Sequence, residues 1–253
     1  MNKKTIVEYD IMEVCLLAGK IMLQSGAETY RVEDTMMRIA ASYGIKQSHS
    51  YVTPTGIIFS IETDEPTKTK LIRISERTTD LKKVTMVNSI SRRISVGELT
   101  VDEAYQQLKE IESSNLTFPF SIQVAAAAIA SGCFLIMFEG EWHDFIAAII
   151  SGGLGFLSLI YFHQLVPIKF FAEFLASFVI GMLSFVFVYM GVGNELDKII
   201  IGSVMPLVPG LLITNAVRDL MAGHLVSGLS KGAEAFLTAF AIGSGIAIVF
   251  TFL

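Results

Sequence analysis

Thr214, Asn215, Arg218 and Asp219 stand close together in the stretch VMPLVPGLLITNAVRDLMAGHLVSGLSKG, residues 204–232. Thr214 and Arg218 are four apart, as are Asn215 and Asp219, the spacing that stacks side chains on one helix face. They offer a hydroxyl, an amide, a guanidinium and a carboxylate. A guanidinium holds a carboxylate through a paired fork, and an aspartate can hold an ammonium or exchange a proton. That inventory suits a small zwitterion or organic acid at the cytoplasmic mouth of a cavity. The plainer reading is that Arg218 and Asp219 end a helix at a membrane surface. Just upstream, Pro206, Pro209 and Gly210 interrupt an apolar run. Proline removes a donor and clashes with the preceding turn, so the helix should bend or break there. In lipid, freed backbone groups are tolerated only against protein or a wet cavity, and such breaks are where transporters place substrate. A purely structural kink is the alternative. Glu173 is a carboxylate one turn into another apolar stretch, a functional candidate by default unless it lies at the interface. His163, His224 and Glu234 read as interfacial.

These residues need a membrane scaffold, and the composition supplies one. The chain is 52% hydrophobic and 17% charged, and 15 of its 19 Lys and Arg precede residue 113. A polar first part is thus joined to an apolar second part. Five apolar stretches follow, at 117–138, 145–162, 168–190, 198–217 and 235–253. Each is near the roughly 20 residues that cross a bilayer as a helix. A soluble all-helical core is disfavoured, because these stretches leave no polar face for water. Lys and Arg in the loops favour the cytoplasmic side. The acidic 139–144 loop, Lys169 in the second, and Arg218 and Lys231 in the fourth place the N-terminus inside and the C-terminus outside; the third loop is mixed. Glu8, Asp10 and Glu13 fall where a signal peptide needs its apolar core. Five is an odd number, and no internal repeat is evident. A second helix group, from a small partner membrane protein or another copy of this chain, would complete the inverted repeat common among secondary transporters.

In the polar part, residues 10–24 are helical by periodicity. Ser25 and Glu28 have the spacing of a capping box, after a bend at Gly26. Along 28–43, Val32, Met36, Ile39 and Tyr43 form an apolar stripe, while Glu28, Arg31, Asp34 and Arg38 gather elsewhere. Glu28 and Arg31 pair with one another, meet the loop near Arg218, or form a solvated face. One strand is expected within 50–62 and a second within 69–77, joined by the hairpin connection TDEPTK. Helices are expected over 81–94 and 100–112, the latter capped by Thr100 with Glu103. The expected fold is an α-helical membrane protein with five transmembrane helices (116–253), preceded by a small α+β cytoplasmic domain (1–115).

Other chemistries find less support. His49, between Ser48 and Ser50, is the basis of an alternative reading as a membrane-anchored hydrolase, but no nucleophile-elbow pattern accompanies it. No phosphate-binding Gly-rich loop ending in Lys-Ser or Lys-Thr is present, which leaves an ion gradient as the energy source. Cys15 and Cys133 lie far apart and read as inert, with no disulfide framework or zinc site. No metal, cofactor or nucleic-acid partner is expected.

The stretches SGAETYRVEDTMMRIA (25–40) and MPLVPGLLITNAVRDLMAGHLVSGLSKGAEA (205–235), in this order and about 165 residues apart, resemble the threonine/serine exporter family, specifically the longer component of its split, two-chain form. The resemblance implies a cytoplasmic domain followed by five membrane helices, with the second helix group on a separate small membrane protein. It also implies proton-driven export of small amino acids, or of small organic acids such as dicarboxylates, without choosing between them. The family motif maps onto Gly26, Glu28, Arg31 and Glu33, and onto Pro209, Gly210, Asn215, Arg218, Asp219 and Gly228. A regulatory subunit that gates a partner transporter remains an alternative.

Overall fold

The computed structural model describes residues 3–62, 67–166 and 168–251. The chain forms two compact units: residues 1–117 with 213–232, and residues 118–212 with 233–253.

The first unit is built around helix α1 (Lys3–Gln24). Val14, Cys15, Leu16, Ala18 and Met22 are almost fully buried, so this helix is covered on nearly every side. Gly26 then takes a left-handed φ of +88° and turns the chain into α2 (Thr29–Ser42). The capping box expected at Ser25 and Glu28 does not form. Glu28 is itself the N-cap residue and makes no side-chain cap bond, because its carboxylate is engaged elsewhere. Three antiparallel strands follow in the order β1 (Gln47–Thr53), β2 (Gly56–Glu62), β3 (Lys68–Arg73). The single strand expected over 50–62 is therefore two: the chain reverses at Pro54–Thr55, with Thr53 opposite Gly56. Proline cannot donate to a ladder and favours turns. β2 pairs with β3 from Gly56–Arg73 to Ile61–Lys68. Thr63 to Pro66 of the expected connection lie outside the described residues. Ile57, Phe59 and Ile61 of β2 point into the core, as the period of two requires. Helices α3 (Leu81–Ser95) and α4 (Val101–Ser113) close this unit, and α4 carries the expected Thr100–Glu103 capping box.

The second unit contains α5 (Phe120–Met137), a 3-10 turn (Trp142–Asp144), α6 (Phe145–Leu165), α7 (Lys169–Tyr189) and α8 (Leu196–Val204). After a second 3-10 turn, Met205–Leu207, come α9 (Gly210–Met221) and α10 (Leu225–Phe250); each of these two runs partly in both units. Among the described residues, four helices are long and apolar enough to cross a membrane. A fifth crossing is obtained if Leu196–Leu207 and Gly210–Met221 count as one span bent by 62°. The bend lies at the prolines: Pro206 sits in the 3-10 turn, and Val208 is extended at ψ 129° just before Pro209. Small residues allow close packing. A side chain at Gly152 would strike Ser131, and one at Gly245 would strike Ser177 and the Phe174 carbonyl. At one end of this unit the buried Asp144 carboxylate accepts from the backbone N–H of Asn194 at 2.6 Å and Glu195 at 3.1 Å. That ties the α5–α6 and α7–α8 connections together.

Candidate functional site

The site lies within the first unit, where residues 213–232 pack on α2 and the end of β1. The chain is shaped to bring them there. α9 ends in a Schellman turn: Gly223 adopts φ +88°, its N–H donates to Leu220 O at 3.1 Å, and His224 N–H donates to Asp219 O at 2.9 Å. The reversal brings α10 against α9 so closely that a Cβ at Gly228 would lie 2.6 Å from Leu220 Cγ. Lys231 of α10 thereby faces Asp219 of α9.

Asp219 is fully buried. Its Oδ1 accepts the Thr29 backbone N–H at 2.9 Å, and its Oδ2 accepts the Thr29 hydroxyl at 2.9 Å. Lys231 Nζ donates to the same Oδ2 at 2.7 Å and to Thr29 Oγ1 at 3.2 Å. Lys231 is also buried, its side chain 4% exposed. Thr29 opens α2, so Asp219 provides from another helix the N-terminal carboxylate that α2 lacks locally. A carboxylate there satisfies an orphan N–H and meets the positive end of the helix dipole. Beside this pair, Arg218 Nη1 donates to Glu28 Oε1 at 2.6 Å, and Arg31 Nε lies 3.4 Å from Glu28 Oε2. Glu28 thus meets both arginines, while the Arg218 side chain keeps 55% of its surface exposed. Asn215 Nδ2 donates to Gly26 O at 2.9 Å. Burial acts to raise the Glu28 carboxyl. Its own backbone N–H, the Arg218 hydrogen bond and the two guanidinium charges outweigh that and hold it below the ordinary carboxylate range.

The edge of the sheet completes the site. Glu33 Oε1 accepts the Val52 N–H at 2.8 Å, and Ser227 Oγ donates to Val52 O at 3.0 Å. His224 Nδ1 is 3.8 Å from Glu33 Oε1. Burial pushes the Glu33 carboxyl above its ordinary value. The Val52 N–H and His224 oppose this rise, and the Asp219 charge adds to it.

Of the residues singled out from sequence, Gly26, Glu28, Arg31, Glu33, Asn215, Arg218 and Asp219 are brought together here. Thr214 is exposed, on a different face of α9 from the buried Asn215 and Asp219. Pro206, Pro209, Gly210 and Glu173 belong to the second unit. There Glu173 is buried, with Oε1 3.7 Å from His163 Nε2. His49 sits on β1, largely exposed, 3.6 Å from Glu62. Sequence reasoning missed Thr29, Val52, Ser227 and Lys231, and took His224 for an interfacial residue. The available signal was Lys231, the one cation of α10.

A family profile described as "Putative threonine/serine exporter" matches residues 13–253. A relative from Mycobacterium tuberculosis, "Probable threonine/serine exporter", is 25% identical over 233 residues; the match covers 90% of this chain and 44% of the relative, so the chain spans less than half of that protein's length. Two relatives named "Probable succinate transporter subunit YjjP", from Klebsiella aerogenes and Escherichia coli, are each 23% identical. They match 95% of this chain and 93% and 94% of their own lengths. No solved structure matches the chain.

Proposed function

Since the chain belongs to the threonine/serine exporter family, we propose that it is one subunit of a secondary transporter that exports small amino acids, threonine and serine first, driven by the proton gradient. In this reading residues 1–115 form a cytoplasmic domain, the N-terminus faces the cytoplasm and the C-terminus faces outward. A small partner membrane protein, or a second copy of the chain, supplies the remaining helices.

The observation that carries the reading is the pairing of Arg218 with Glu28 while about half of the Arg218 side chain stays exposed. A substrate carboxylate can replace Glu28 on the guanidinium fork without leaving either charge bare, which makes the exchange inexpensive. The Asp219–Lys231 pair fixes the helix that presents Arg218. A second reading, export of a dicarboxylate, is favoured by the two length-matched relatives named as succinate transporter subunits.

The test is efflux of labelled threonine, serine and succinate from cells that express the chain alone and with a second chain carrying the partner helix group. A protonophore should abolish the efflux. Arg218→Gln removes a charge-assisted bond worth about 1.5–3 kcal/mol and should weaken substrate affinity by roughly 10–100-fold while the protein still inserts. Unchanged efflux from this variant removes Arg218 from the substrate site. Efflux by the second chain alone makes this chain regulatory.

A further inference from the structure

We propose that Glu33 and His224 together form the site that takes up and releases the coupling proton, and that the α9–α10 turn passes its state to Asp219 and Arg218. This rests on the transport reading and adds to it the residues that sense the gradient.

The pair is built as a site. Glu33 is fixed by the Val52 N–H at 2.8 Å, so its carboxylate is oriented whether or not the imidazole beside it is charged. The pair is half-buried, with side chains 14% and 24% exposed, so protons from water reach it while its field is only partly screened. Histidine is the side chain whose ordinary titration lies nearest neutrality. An imidazolium 3.8 Å from a carboxylate is attracted to it as one full charge to another; a neutral imidazole offers only its weaker dipole. One proton therefore changes the strength of the contact.

The contact is mechanically linked to the rest of the site. The His224 backbone N–H donates to Asp219 O in the Schellman turn. A movement of the His224 ring toward or away from Glu33 is thus applied to the last turn of α9, which carries Arg218 and Asp219. The charges that act on Glu33 are His224 from the turn and Asp219 of α9, which is paired with Lys231 of α10; β1 contributes the Val52 N–H. Asp219 acts electrostatically on Glu33. A proton on the pair therefore disfavours a second cation, such as a substrate ammonium, at the exposed rim of the site, and its loss favours one. That mutual exclusion is the alternation an antiporter requires, and the coupling is reciprocal by linkage.

Two assays in inverted membrane vesicles separate coupling from binding, using the full chain in whichever expression background gives efflux. One measures threonine uptake driven by an acid-interior gradient. The other measures threonine–threonine exchange with no gradient. Glu33→Gln and His224→Gln should each lose the gradient-driven uptake and its pH dependence while keeping exchange. Retention of gradient-driven uptake with the wild-type pH profile in either variant overturns the proposal. Loss of exchange in both variants also overturns it, because the pair then serves folding or substrate binding. If the wild-type chain moves neither threonine, serine nor succinate in any background, the transport reading itself fails, a result distinct from all of these.

Discussion

Asp219 and Lys231 form an ion pair with almost no access to water, and Thr29 satisfies most of what remains of their hydrogen bonding. Such a pair adds little net stability, but leaving one member alone is costly, about 3–5 kcal/mol. Lys231→Met should therefore lower stability by about that much, measured by denaturation in detergent. The double variant Lys231→Met with Asp219→Asn should regain a large part of the loss. The neighbouring carboxyls respond to pH with opposite signs. Glu28 is held below its ordinary value, so its contribution is present above the unfolded-state value and is lost as pH falls through the folded one. Glu28→Gln should flatten the acid limb of a melting-temperature profile. Glu33 is raised, so its contribution is present at low pH and is lost as pH rises through the folded value. Glu33→Gln should therefore gain on the wild type as pH rises. The meeting of Glu28 with Arg218 was one of the options open from sequence, since both residues lie in charged stretches near a membrane. The role of Lys231 was hidden. Periodicity reports which face a side chain occupies, and it does not report a partner twelve residues away across a helical reversal.

The two turns that shape the site depend on glycine. Gly26 has φ +88° with the Thr78 carbonyl 3.4 Å from where a Cβ would stand, and its own carbonyl accepts from Asn215. Gly26→Ala should cost about 1–2 kcal/mol, the penalty of a left-handed conformation for an L-residue, seen as a lower melting temperature. The bend at Gly26 was legible because glycine followed a periodic helix. The capping box was misread because Ser25 and Glu28 had suitable spacing, while a long-range guanidinium competed for the glutamate. The proline break was legible for a local reason: a missing N–H has the same effect in any surroundings. The extra strand was lost because Pro54 and Thr55 interrupt an apolar alternation for only two residues, less than a pattern window resolves.

At the scale of the molecule, the first unit is discontinuous: residues 213–232 belong with residues 1–117. Its Thr29 amide and hydroxyl, Glu28 carboxylate and Val52 carbonyl find partners in Asp219, Arg218 and Ser227. A fragment of residues 1–117 should therefore be cut by protease faster than the same residues in the full chain. The cleavage should concentrate near Gly26–Thr29 and the end of β1, as mapped by mass spectrometry. The division into polar and apolar parts could be read from the placement of Lys and Arg. The return of a late segment to the first unit could not, since its charged residues read equally well as a loop between two membrane crossings.

That interleaving bears on birth as well as on operation. A ribosome moving at about 5–20 residues per second delivers Asp219 and Lys231 roughly 10–40 seconds after Thr29 has emerged. In the interval the stub of α2 waits with an unsatisfied amide, and the intervening greasy segments must be handed to the translocon before the missing ions arrive. The start of α2 is thus satisfied only once the later part of the polypeptide has been made and has folded back onto it.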